Sequence, residues 1–555
     1  MKKKNIWLPA IITAVISALA YYVALPPLNI YSDSFWISLI FVLLIFGAAY
    51  WICNRAAGFF QKKDGIKAGI RSSGKGFKIY LVLIAIPVIV LIIGHLISST
   101  FFNATKYANV IQVPEGVFKE DMPDYEYESV TNIPLMDSES ARIIGERTLG
   151  SLSEVVSQYR VNGTYSQINY KRAPKKVSAL EYGDFFKWLN NRDVGVPGYV
   201  MVDPVNNSAE YVKLTQAIRY TDSAYFNENL ERKLRFSYPT KIFGNCMFEI
   251  DEDGNPYYIV ACMAPKVGLF GAMDVKEVII FNPCDGSSQL YDIENTPSWV
   301  DNVFTGYLAA EKYDWYGTLQ NGFWNSVIGN KDCKVTTDDF GYIILEDDVW
   351  FFTGVTSVSS DESNIGFIIS NARTGEYKFY PVIGAEEYSA MGAAQGEVQE
   401  KGYVASFPSL INVSGEATYI MVLKDANGLV KLYAFVNVEN YSIVATGTTQ
   451  KSAKEAYIKL LRQENVINGT TPENPDDQKQ TMITVEDIRI ITVADQSVMY
   501  LTGNDGNLYK QTILLDEALM LLKKGDRLTV TYSETEIQKI YQIISWSFYT
   551  EEAVK

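Results

Sequence analysis

Three long apolar runs open the chain, and short alternating runs broken by polar turns fill the rest. The apolar runs cover about residues 6–25, 35–53 and 79–98, and none contains Asp, Glu, Lys or Arg. Each is close to the ~20 residues that a helix needs to cross a ~30 Å hydrocarbon core. Residues 1–98 therefore read as a membrane domain with three spans. Beyond it the period changes from helical to strand-like, and the prediction is an α+β, β-rich, multi-domain region.

Charge orients the spans. Lys2, Lys3 and Lys4 precede the first, and the loop from Asn54 to Lys78 carries Arg55, Lys62, Lys63, Lys67, Arg71, Lys75 and Lys78 against Asp64. The intervening loop, Pro26 to Ser34, has no base and one acid, Asp33. Basic loops stay in the cytoplasm, so the third span delivers residues 99–555 to the outside. Residues 1–78 carry +8 and the remainder −23, which the whole-chain −15 conceals. The basic loop 54–78 would lie near anionic lipid headgroups. Cleavage of the first apolar run after Ala18-Leu19-Ala20, as a signal peptide, is the alternative; two spans would still export the rest.

Outside the membrane, residues 99–138 hold Pro114, Pro123, Pro134 and an acidic stretch from Glu120 to Glu128, and read as a linker with one strand. Two α+β regions follow, 139–330 and 331–463. Their unit is an apolar strand, a polar turn and an aromatic-rich strand. Copies begin at Gly198, Val278, Phe367 and Thr418, and further strand-like sequence lies at Phe248–Val260 and Val349–Val358. Asp-Gly and Asn-Gly supply the positive φ of tight hairpin turns. Helical spacing predicts helices over Glu386–Lys401 and Thr449–Gln463. Residues 464–482 are a polar linker. Residues 483–548 have short, regularly spaced strands and a short helix near Asp516–Lys523, and resemble a small OB-like β-barrel.

The repeated plan of strand, D-x-x-G-type turn, strand and helix resembles the PepSY module of bacterial cell-surface proteins. The whole chain resembles membrane-anchored exterior proteins of Gram-positive bacteria. What the resemblance implies is an exported binding or inhibitory module, without an assigned chemistry.

Composition narrows the function classes. The 555 residues include one histidine, His95, within the third apolar run. Ser-His-Asp triads, Cys-His pairs and His-ligated metals are thereby excluded from the water-soluble part. The acidic balance argues against nucleic-acid binding, and no phosphate-binding G-x-x-x-x-G-K-[ST] occurs in a strand–helix setting, so nucleotide is not expected. Asp251, Asp253 and Asn255 begin like a calcium loop, but Pro256 and Cys262 stand where Gly and an acid are required, so a plain hairpin turn is the reading. Glu346, Asp347 and Asp348 read as a solvated turn. Ser151, Ser153 and Lys187 form no Ser-Lys motif, and Cys284 and Cys333 lack an activating base. No catalytic residue, cofactor or metal is expected. A hairpin turning near Asp253-Gly254 would bring Cys246 beside Cys262, a candidate disulfide; buried free thiols are the other reading.

The densest aromatic stretch, 299–324, includes Trp299, Tyr313, Trp315 and Trp324, with Asp301 and Asp314 among them. Rings stack on sugar faces and carboxylates hold hydroxyls, so these six are candidate glycan ligands; aromatic packing is the plainer reading. The expected role is non-catalytic binding or scaffolding at the cell envelope, with an envelope protein or cell-wall glycan as partner. The alternative is a cell-wall-active glycan-binding protein or a glycosidase using the carboxylates of this stretch.

Overall fold

The computed structural model describes residues 6–60, 74–125, 133, 135–358, 363–464, 466–467, 479–493, 496–512, 517–534 and 539–549. Two compact units divide the chain, residues 1–457 and 458–555.

Three N-terminal helices are long and apolar enough to cross a membrane: Trp7–Ala24, Asp33–Cys53 and Phe77–Ser98. Apolar side chains such as Leu19, Phe41 and Ile92 stand exposed along them. The second helix runs on to Phe60 and the third begins at Gly74. Most of the basic loop, 61–73, and its proposed lipid contact lie outside the described residues.

Four antiparallel sheets follow in unit 1. The first spans Tyr159–Ile218, the second Ile242–Asp292, the third Lys334–Ala385 and the fourth Val404–Gly447. A helix precedes each: Ser138–Gly150, Leu230–Ser237, Gly306–Leu319 and Glu387–Gly396. Side-chain caps start the first three. Asp137 accepts from Ser140 N at 2.7 Å, Asn229 from Arg232 N at 3.1 Å and Thr305 Oγ1 from Leu308 N at 3.4 Å. Each cap satisfies an N–H that the helix itself leaves free.

The hairpin turns repeat a single device. Asp203, Asp251, Asn282, Asn371 and Asp425 each accept, through Oδ1, the backbone N–H two residues on. A residue at positive φ then completes the turn: Asn207, Gly254, Gly286, Gly375 and Gly428. This is the Asx-turn chemistry that makes such sequences legible as hairpins. All four hairpin copies and the strands at 248–260 and 349–358 occur in the structure.

The first two sheets share a core that includes Val177, Trp188, Tyr199, Phe248, Tyr258 and Phe281. The third and fourth share another, with Phe352, Phe367, Tyr419, Leu423 and Val436. The second sheet is covered on both faces. Along its strand Pro256–Val267, Tyr258, Val260 and Cys262 enter the first core, while Ile259 and Ala261 pack with Val300, Val303 and Phe304. Double burial is why this strand reads as a continuous apolar run.

Residues 99–125 carry more structure than a spacer. They form helices at Thr100–Ala108 and Phe118–Asp121, and bury Tyr107, Ile111, Phe118, Met122 and Tyr125. Prolines and an acidic stretch suggest a spacer, but the aromatic and aliphatic positions anchor the segment to the sheets.

Unit 2 contains a closed five-stranded barrel, built from Lys479–Val493, Gln496–Gly503, Leu508–Thr512, Arg527–Glu534 and Ile540–Phe548. Its first strand starts at Lys479, inside the stretch read as linker. A short helical turn, Glu517–Leu521, joins the third and fourth strands. The third strand pairs in parallel with the fifth, and all other pairings are antiparallel.

Candidate functional site

The second sheet, covered on both faces, fixes the first element of the site. Between Phe248 and Ile250, which enter one core, Glu249 must point to the other face, where it is 0% exposed. It accepts three hydrogen bonds there, from Asp301 N at 2.9 Å, Asn302 N at 2.7 Å and Asn302 Nδ2 at 2.8 Å. Asp301, 2% exposed, lies beside it and accepts from Asn169 N at 2.7 Å. Burial raises Glu249 to about 7, against the opposing pull of its three donors. Burial, and then the Glu249 charge, raise Asp301 well above the ordinary carboxylate range. Two buried carboxylates cannot both ionise. Glu249 accepts three hydrogen bonds and Asp301 one, so the opposing pull of donors is greater at Glu249.

Asn169 carries this junction to the surface. Its Nδ2 donates to the Asp347 carbonyl at 2.8 Å, in the turn between Gly341–Leu345 and Asp348–Ser357. Glu346 and Asp347 both sit at positive φ, 52° and 68°, as a two-residue hairpin loop requires. Asp348 is neutralised by Arg373, with Nη2–Oδ2 at 2.6 Å. The acidic triplet is thus a turn followed by an ion pair.

Beside this turn opens a cleft of about 480 Å³. The hairpin at Asn169–Pro174 forms one wall, Ile343–Asp347 a second and Leu410–Asn412 a third, with Met122–Tyr125 closing the end. Tyr125 N donates to the Asn412 carbonyl at 2.7 Å, so this end is tied to the fourth sheet. The lining is largely apolar, with Arg172 and Asp347 on the rim. Asn169 also keeps a buried acceptor, Oδ1, without a donor among the described residues. The strand Gly341–Leu345 is paired on one edge only, among the described residues.

The six candidates of the aromatic stretch go to different places. Trp299 stacks on Tyr257 with centroids 5.0 Å apart, at the covered face of the second sheet. Asp301 is in the carboxylate pair. Tyr313 is buried against the third sheet, and Trp315 packs on Tyr107. Asp314 accepts from Thr336 N at 2.8 Å. Trp324 is exposed and touches Phe101 and Phe323. Three separate apolar clusters receive Trp299, Tyr313 and Trp315. The hairpin register sets Cys246 against Val260, and Cys262 against Phe243. Both thiols are free, Cys246 exposed and Cys262 buried.

No protein-family model matches the chain, and no curated protein matches it in sequence. Solved structures similar to it include a Bombyx mori GH32 beta-fructofuranosidase and a mutant of that enzyme in complex with sucrose. Each is 11% identical at a TM-score of 0.17, with 73% of this chain and 70% of the other covered. At that score the likeness carries no inference about fold or chemistry.

Glu249, Asn302 and Asn169 were not among the sequence candidates. The signal was an acid flanked by Phe248 and Ile250 in a strand with apolar residues on both faces. A second buried acid behaves similarly. Glu387, 0% exposed, accepts from Gly354 N at 2.6 Å and Thr337 Oγ1 at 3.1 Å, and burial raises it to about 7. Raised folded values mean that the folded chain holds protons which the unfolded chain releases. The stabilisation is full below about pH 4.5 and is lost as pH rises through about 7. Each such group accounts for about 3 kcal/mol. We expect a higher unfolding midpoint at pH 5.5 than at pH 8, and a smaller difference in Glu387→Gln, whose amide keeps both partners. A midpoint that is flat or rises over this range would contradict the assignment.

Proposed function

We propose that this chain is a non-catalytic, membrane-anchored binding or scaffolding protein of the cell envelope, with residues 99–555 outside the cytoplasm. The cleft walled by Asn169–Pro174, Ile343–Asp347 and Leu410–Asn412 is its partner site. Its partner is a protein that presents an extended segment. The observation that carries this reading is the strand Gly341–Leu345, paired on one edge only among the described residues, at an apolar cleft. A free strand edge offers backbone donors and acceptors in register for an added strand, and the pockets beside it select side chains. Asn169 Oδ1 supplies one further acceptor.

The three-span arrangement draws support from both span ends. Arg232 Nε donates to the Tyr22 carbonyl at 3.0 Å and Arg235 Nε to the Leu25 carbonyl at 2.9 Å. Ser98 Oγ accepts from Leu269 N at 2.8 Å and Phe270 N at 2.9 Å. The C-terminal ends of the first and third spans thus meet the same body, as two spans running in the same direction require. In this reading the modules are PepSY-like; each has a helix before its sheet and an Asx turn within it. In unit 2, a helical turn between the third and fourth strands and closure by a parallel third–fifth pair support an OB-like barrel used as an adaptor.

A photo-reactive residue in place of Ile344, in the full chain in its native cells, tests the cleft. We expect a discrete cross-linked protein adduct that is absent when the same residue replaces Ala426, on a distant exposed turn. Equal adducts at both positions would overturn the reading.

A further inference from the structure

The extracytoplasmic body makes two further kinds of contact around the span ends, and both point to lipid. One is a hairpin tip. Gly268-Leu269-Phe270-Gly271 straddles the end of the third span, held by the two bonds to Ser98 Oγ, and beside it the Tyr107 hydroxyl donates to the Ser98 carbonyl at 2.6 Å. The approach leaves no room for side chains at the two glycines. A Cβ on Gly268 would lie 2.5 Å from Ser98 Oγ, and one on Gly271 2.6 Å from Ser98 O. The tip reaches back along the span. The Phe270 ring packs at a tilt against His95, with centroids 5.0 Å apart, and covers Gly94. His95 is three residues inside Ser98, roughly 4.5 Å at the helical rise.

The other kind is exposed apolar surface continuous with the span exits. Beside the third span, Trp324 is 64% and Ile328 74% exposed, and the Trp324 ring touches Phe101, three residues after Ser98, at 5.8 Å. Beside the first, Phe236 is 55% exposed and touches Tyr21 at 6.0 Å and Tyr22 at 6.3 Å. Phe226 is also exposed there, on a segment tied to the same span end by the Tyr22 hydroxyl, which donates to Asn227 Oδ1 at 3.2 Å. Exposed aromatic and aliphatic clusters of this kind mark interaction surfaces, and aromatic rings favour the headgroup level of a bilayer.

We infer that the extracytoplasmic body is seated in the outer membrane leaflet, with the Leu269–Phe270 tip and the apolar patches at Trp324–Ile328 and Phe226–Phe236 in contact with lipid. This rests on the proposed insertion of the three spans. The seat fixes how the body is held over the bilayer, independently of the partner cleft. The occupant is lipid because both patches are continuous with residues that leave the apolar spans.

The test uses the full chain, with Cys53, Cys246 and Cys284 replaced by Ala, reconstituted in phosphatidylcholine–phosphatidylglycerol vesicles. Cysteines added one at a time, at Ile328→Cys, Phe226→Cys, Ala426→Cys and, within the third span, Ile89→Cys, beside the buried Cys262 and Cys333, carry an environment-sensitive fluorophore. Lipids spin-labelled high on the acyl chain are the quencher. We expect quenching at 328 and 226 at least about twofold above that at 426. Quenching at 328 and 226 no greater than at 426, with 89 strongly quenched, overturns the seat and leaves the insertion standing. No quenching at 89 overturns the insertion, and the seat with it.

Discussion

Lys312→Met should destabilise the chain by about 3–5 kcal/mol, because it strands a buried charge. Lys312 and Asp274 are 3% and 9% exposed and meet at 2.8 Å. The lysine lies on helix Gly306–Leu319 and the aspartate on strand Gly271–Phe281, so the pair fastens the helix of the third module to the sheet of the second. Burial lowers the Lys312 pKa and Asp274 opposes that shift. The Phe304 ring lies 4.9 Å from the ammonium and adds a further attraction. A cavity of about 400 Å³ borders the pair. Adding Asp274→Asn to Lys312→Met should recover most of the loss, since the amide still accepts from Val275 N, bonded now at 2.9 Å. Denaturant unfolding of the two variants in detergent checks this. A single variant as stable as the parent, or a double variant no better than the single, would show that the pair does not join the modules.

The second large effect is at Glu249. Glu249→Ala leaves the donors of Asp301 N, Asn302 N and Asn302 Nδ2 without their acceptor in a site closed to water. At about 1–3 kcal/mol for each buried unsatisfied group, a loss of about 3–5 kcal/mol is expected. Asp301→Asn should behave differently. Its amide oxygen still accepts from Asn169 N, and a neutral amide removes a charge that burial and the neighbouring Glu249 disfavour. A change under about 1 kcal/mol at pH 7 is the expected result. A carboxylate serving chemistry would also leave folding intact in Asp301→Asn but would abolish turnover of a cell-wall substrate. The unfolding midpoints of the two variants test the structural role of the pair, and turnover of a cell-wall substrate by Asp301→Asn tests a chemical one.

What the sequence made legible follows from which physical signals are local. The three spans are local: uninterrupted apolar length identifies them. The hairpins are local too, since Asp203, Asp251, Asn282, Asn371 and Asp425 act on N–H groups two residues away. The helices at Glu387–Gly396 and Gln450–Gln463 showed their apolar spacing. The candidate site was not legible, because its groups meet through tertiary packing. Asn169 and Asp301 are 132 residues apart, and Asn169 and Asp347 178. Density of aromatics in 299–324 drew attention to one stretch. A helix, though, sends successive residues in different directions, and Tyr313 and Trp315 therefore enter separate clusters. The helices before the first three sheets were also missed. Leu230–Ser237 is short and rich in charge, and its pattern is set by Leu230, Leu234 and Arg235 turned inward.

The central claim is that everything after the third span lies outside the cytoplasm. A cysteine at Ala426→Cys, in a chain with Cys246→Ser, lies on an exposed turn of the fourth sheet. Labelling of intact cells with a membrane-impermeant maleimide measures its side directly. Full labelling without permeabilisation is the predicted result. Labelling that appears only after the membrane is opened would contradict the account.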